Sequence, residues 1–244
     1  MKLLKRECPI EMCIIPCGAG WTDISFFVPG KMSEPLILTA SYIERNVSDL
    51  ARALYYLYPN QFETGRADDI IETVNYEYDM KTKRHGKIYR LGEKTPPGAY
   101  TSFPVKAEFH WEEDPGGSDW TLTREIPDAP NYEPDFPLHL HIALERYSGG
   151  QFAREYDYNS VFDFDFMYSD LCYAVGKAMT DSLKSHGLYG FFYSTSDCID
   201  LVHLVFLKAI ALGCMDVCKL NETGKYGAES TNLQNEIELI LFDM

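Results

Sequence analysis

No run of 18 or more apolar residues occurs in this sequence, which excludes an ordinary membrane-spanning helix. Its longest apolar stretch, Cys198 to Leu212, is interrupted by Asp200, His203 and Lys208. A secretion leader is not expected either, because Glu7, Pro9 and Glu11 stand where the apolar core of such a leader belongs, behind the basic start Met1 to Arg6. The seven cysteines are an odd number, which excludes a complete disulfide framework. They also lack the tight Cys-x2-Cys spacing of structural zinc knuckles: Cys8, Cys13 and Cys17 are more widely set, and Cys214 and Cys218 lie one helical turn apart. The expectation is a cytoplasmic protein with reduced thiols and no membrane contact.

The familiar catalytic and cofactor motifs are absent as well. There is no Gly-x-Ser-x-Gly elbow, no phosphate-binding Walker loop and no His-Glu-x-x-His. Gly18-Ala19-Gly20 begins like a dinucleotide loop, but Asp23 takes the place of the third glycine and a strand is predicted to follow. Helix N-termini hold dinucleotide phosphates, so the match fails on mechanism and no cofactor is expected.

Positive charge is scarce: 22 Lys and Arg stand against 37 Asp and Glu, for a net charge of −15 over 244 residues. Between Glu108 and Asp170 the imbalance is sharper, with fifteen acidic residues against Arg124, Arg146 and Arg154. Such a surface repels phosphate backbones, which disfavours direct nucleic-acid binding, and it steers basic proteins toward it. Charge runs of this kind also serve simply as solvated surface.

What the sequence does contain is an ordinary globular composition, 45% hydrophobic and 14% aromatic, enough for a full core. Met12 to Pro16, Trp21 to Val28 and Leu36 to Ala40 read as strands, with a turn at residues 17 to 20. Behind Asn46, Val47, Leu50, Ala51, Leu54, Leu57 and Tyr58 recur at helical spacing until Pro59. Residues 60 to 105 read as an irregular insertion, with a strand at Thr73 to Asp79. Val105 to Trp111 and Trp120 to Glu125 flank a turn-rich stretch and predict a hairpin. In the next strand Leu138, Leu140, Ile142 and Leu144 share one face, and His139 and His141 the other. Helices are predicted at 167 to 186, closed by Gly187, and at 197 to 212, capped by Thr195 or Ser196 and apolar nearly all round. Glu236 to Phe242 alternates like a closing strand. The sum is one α+β domain spanning 1 to 244, a mostly antiparallel sheet covered by three main helices at 47 to 58, 167 to 186 and 197 to 212.

Two groups of residues are candidates for function. The hairpin tip Glu112, Glu113 and Asp114, with Trp111, Asp119 and Trp120 around it, would form an acidic and aromatic patch suited to a basic protein partner. Against this, tryptophans beside strands usually fill a core. The alternative is a metal-dependent hydrolase: His139 and His141 project from one strand face and His110 from a neighbouring strand. Half-exposed histidines are equally what the opposite side of an aliphatic strand face carries. Asp163 with Asp165, and Asp197 with Asp200, are carboxylate pairs able to do acid–base work or to hold a divalent metal, although such residues more often cap helix starts. Cys172 and Cys198, in apolar helices, read as small core residues.

The succession of Ser41-Tyr42-Ile43 through Asp49-Leu50 and Ala53-Leu54, then Trp111-Glu112-Glu113-Asp114-Pro115-Gly116-Gly117 into Trp120-Thr121-Leu122, then a strand and two long helices, resembles small acidic bacterial domains of the toxin-immunity kind. The resemblance covers about residues 36 to 213 in order of elements. It implies a non-enzymatic interaction protein that neutralises a partner, and it carries over no catalytic residue.

Overall fold

The computed structural model describes residues 6–40, 46–58, 70–76, 86–94, 100–113, 116–124, 135–145, 160–195, 198–219, 221–222 and 229–244. The chain is α+β and divides into two compact units, Met1–Ala51 with Ser169–Met244, and Arg52–Tyr168. Ser41, Tyr42 and Ile43 of the resemblance, and residues 77 to 79 of the strand expected at Thr73 to Asp79, lie outside the described residues.

The first unit opens with three antiparallel strands, β1 (Glu11–Gly18), β2 (Trp21–Phe27) and β3 (Leu36–Ala40). Alternation places Met12, Ile14, Ile24, Phe26, Leu36 and Leu38 in the core. The β1–β2 turn needs left-handed backbone, and Gly18, Ala19 and Gly20 supply it with φ of 85°, 53° and 88°. Helix α1 (Asn46–Leu57) follows the expected spacing, and its Ser48 hydroxyl donates to the carbonyl of Cys198 at 2.9 Å.

Helix α2 (Tyr168–Thr195) is longer than the expected 167 to 186. Gly187 does break it, with φ 68° and ψ 165°, but the helical path resumes on the other side and carries exposed Tyr189, Phe192 and Tyr193. Helix α3 (Leu201–Ala211) begins four residues later than its expected start at 197. Its cap is Asp200, whose carboxylate accepts from the amides of Val202 at 2.9 Å and His203 at 3.3 Å. Cys198 is therefore outside the helix and exposed, contrary to the core reading, whereas Cys172 is buried as expected. From His203 to Ala211 every residue of α3 is buried.

The tail is a helix, α4 (Leu233–Leu241), where alternation predicted a strand. Asn232 starts it by accepting from the amides of Gln234 at 3.0 Å and Asn235 at 3.2 Å. Leu239 seats it against Val205, Ala209 and Val217. A lysine joins α2, α3 and α4: the fully buried Lys208 ammonium donates to Thr180 Oγ1 at 3.0 Å and to the carbonyls of Ile240 and Phe242 at 3.0 and 2.7 Å. Gly176 makes room for it, since a Cβ there would stand 3.2 Å from Lys208 Cγ.

The second unit is an antiparallel meander: β4 (Ile70–Tyr76), β5 (Gly86–Lys94), β6 (Tyr100–Glu113), β7 (Gly116–Arg124), β8 (Pro137–Glu145) and β9 (Val161–Met167), each paired with the next. The segment expected to be irregular at 60 to 105 thus contains β4, β5 and the start of β6. One face of the β6–β9 part is apolar, with Phe109, Trp111, Trp120, Leu122, Leu138, Leu140, Ile142, Phe164 and Phe166 buried. The Trp111 and Trp120 rings lie 4.4 Å apart between centroids, and each is 5.7 Å from Phe109. Tyr168, ending the unit, donates its hydroxyl to the Leu54 carbonyl at 2.6 Å and stacks on Phe136. Buried Arg124 holds its guanidinium 3.8 Å over the other aromatic partner, the Phe136 ring.

Candidate functional site

The opposite face of β6–β9 is polar, and the strand register sets its side chains in rows. Glu108, Thr121, His141 and Asp163 are aligned across four strands; Lys106, Thr123, His139 and Asp165 form the next row. A third row begins with His110 and Asp119 and ends on Ala143 and Val161. Because side chains alternate, burying Leu138, Leu140 and Ile142 turns His139 and His141 to this side. Burying Phe164 and Phe166 turns Asp163 and Asp165 the same way.

Each histidine of the face meets a carboxylate. His141 Nδ1 lies 2.7 Å from Asp163 Oδ1, His139 Nδ1 lies 2.8 Å from Asp165 Oδ1, and His139 Nε2 lies 3.2 Å from Asp163 Oδ1. These contacts hold the Asp163 carboxyl below the usual carboxylate value, first through the His141 hydrogen bond, which outweighs the opposing effect of burial, and then through the charge of His141 and the His139 contacts. His110 is placed elsewhere. Its Nδ1 is 2.7 Å from Asp119 Oδ1, and its ring lies over Gly117, where a Cβ would come within 2.6 Å of Cε1 and Nε2. Only glycine at 117 lets the ring settle there.

Of the three histidines expected to share a metal, His139 and His141 come together with Asp163, and His110 belongs to the third row. Asp163 and Asp165 are strand residues rather than helix caps, which corrects the helix-start reading. The signal was present: Val161-Phe-Asp-Phe-Asp-Phe-Met167 alternates with period two, the mark of a half-buried strand.

The aromatic and acidic patch comes apart in a different way. Trp111 and Trp120 are 0% exposed, and the Trp120 indole donates to Ser118 Oγ at 3.0 Å, so both rings belong to the core and neither faces a partner. The β6–β7 pairing runs on to Glu113 opposite Gly116, which puts Glu112 and Glu113 in a strand. The Glu112 and Glu113 side chains and all of Asp114 lie outside the described residues. Asp119 remains, with its side chain 51% exposed. Among the described residues no helix is long and apolar enough to cross a membrane.

No protein family, curated protein or solved structure matches this chain.

Proposed function

We propose that this chain is a non-enzymatic interaction protein that takes a basic protein partner on the polar face of β6–β9, as an immunity or inhibitor protein would. The supporting observation is the row geometry of Asp119, Asp163 and Asp165. Their side chains are 51%, 51% and 86% exposed, and all three project from paired strands. Carboxylates fixed on a sheet lose little freedom when a lysine or arginine docks, and the neighbouring histidines already orient them. The wider acidity of Glu108 to Asp170 adds long-range steering.

The hydrolase reading is weaker on the same geometry, because His110 does not join the other two histidines. The interaction reading places the work on Asp119, Asp163 and Asp165 in place of the tryptophan-lined tip. With the chain immobilised, a panel of strongly basic proteins and polylysine serve as probes at low and high salt. The expected result is salt-sensitive capture that falls about tenfold or more in association rate for the combined D119N, D163N and D165N variant, with unchanged far-ultraviolet circular dichroism. Capture by the folded triple variant equal to wild type would remove this face from the proposal.

A further inference from the structure

We infer that His139, His141 and Asp163 are the ligands of a site for one transition-metal dication of the zinc class, with Asp165 as the supporting carboxylate behind His139. One donor atom from each of the three residues lies within 4.8 Å of the others. Tetrahedral zinc with bonds of about 2.0 Å places its ligand atoms about 3.3 Å apart. Asp163 Oδ1 already stands 3.2 Å from His139 Nε2 and 2.7 Å from His141 Nδ1.

His139 meets a carboxylate at each ring nitrogen, Asp165 at Nδ1 and Asp163 at Nε2. The Asp165 contact at 2.8 Å is also the outer-shell arrangement that fixes the tautomer and orientation of a metal-bound histidine. Two imidazoles and one carboxylate suit zinc or a neighbouring transition metal better than calcium or magnesium, which take oxygen donors. Three protein ligands leave a fourth position for water or for a donor from a docked molecule.

The ligands sit on two adjacent strands whose register pairs His139 with Asp165 and His141 with Asp163. The spacing is thus set by backbone pairing rather than by a loop. This inference shares Asp163 and Asp165 with the basic-partner proposal, and the tests separate the two: zinc alone is the probe here, and basic-protein capture is read without added metal.

Chelator-treated protein is titrated with zinc chloride at neutral pH by calorimetry, and with cobalt(II) by absorption spectroscopy. One equivalent should bind, with cobalt bands of nitrogen and oxygen ligation and no thiolate charge-transfer band. H139A and H141A should abolish stoichiometric binding, and D165N should weaken it by about 10–100-fold. H186A, at an exposed position of α2, should bind as wild type does. All four variants alter exposed or half-exposed positions, and their melting temperatures check that they fold. Absence of stoichiometric binding overturns the assignment. So does binding that survives both histidine variants, or a thiolate band, which would move the metal to the cysteines.

Discussion

Lys208 shows how much one side chain can impose on stability. An ordinary lysine titrates at 10.5, but burial, and after it repulsion from Lys184, pulls Lys208 down to about 7. Between about 7 and 10.5 the unfolded chain therefore binds a proton that the folded chain has released, and stability rises with pH across that window. Below about 7 both states hold the proton and the cost of burying the charge is fully present, on the order of 5 kcal/mol from the size of the shift. K208M should flatten the rise in urea-unfolding free energy across this window. The same variant removes the donor to the Ile240 and Phe242 carbonyls, so α4 amides should exchange with solvent faster than in wild type. An unchanged pH slope in K208M would show that Lys208 is not the group responsible. In the sequence this lysine reads only as a break in an apolar helix. Its acceptors are 28, 32 and 34 positions away, and no local pattern announces them.

Among the elements, Gly187 carries the clearest constraint. Its φ of 68° with ψ of 165° is a conformation that side chains with a Cβ rarely adopt, although open space surrounds the position. G187A should therefore destabilise the protein by about 1–3 kcal/mol through backbone strain alone, seen as a lower melting temperature without a change in helix content. An unaltered melting temperature would mean that the bend accommodates a side chain by shifting. Gly187 was legible because glycine after an apolar helical stripe is a strong stop signal. The continuation of α2 beyond it was not, since residues 188 to 195 show no stripe of their own. In α4, Ile237, Leu239 and Leu241 fit a strand, while Leu233, Ile237 and Leu241 fit a helix equally well. Asn232 decides between them, because an amide side chain that satisfies two free backbone N–H groups favours the helix start. The histidine strand β8 was legible from alternation alone. Its partner β9 was masked by the habit of acidic residues to cap helices, and with it went half of the candidate site.

At the scale of the whole molecule, the two compact units divide the chain inside α1 and at the start of α2. A variant with W21F leaves Trp111 and Trp120, both in the second unit, as the indole reporters. Far-ultraviolet ellipticity is dominated by α2, α3 and α4, which belong almost wholly to the first. Coincident thermal transitions from the two signals are expected for one cooperative domain, and separated midpoints would divide it in two. The β6–β7 hairpin was visible from the sequence because turn residues separate two strand-like runs, whereas β5 and the start of β6 fell in the segment read as irregular. The interruption of the first unit by the second was not visible, as nothing local marks which distant segments close a core. That interruption also sets a timetable on the ribosome. β1, β2 and β3 emerge before the second unit, with Met12, Ile14, Ile24, Phe26, Leu36 and Leu38 ready to be covered, but beyond the start of α1 the remainder of their unit begins only at Ser169. At ~5–20 residues per second the nascent strands wait on the order of ten seconds while the second unit is translated and begins to fold. During that delay an apolar sheet face stands open in the crowded cell, which makes the amino-terminal hairpin the segment of this chain with the strongest call on a holding chaperone.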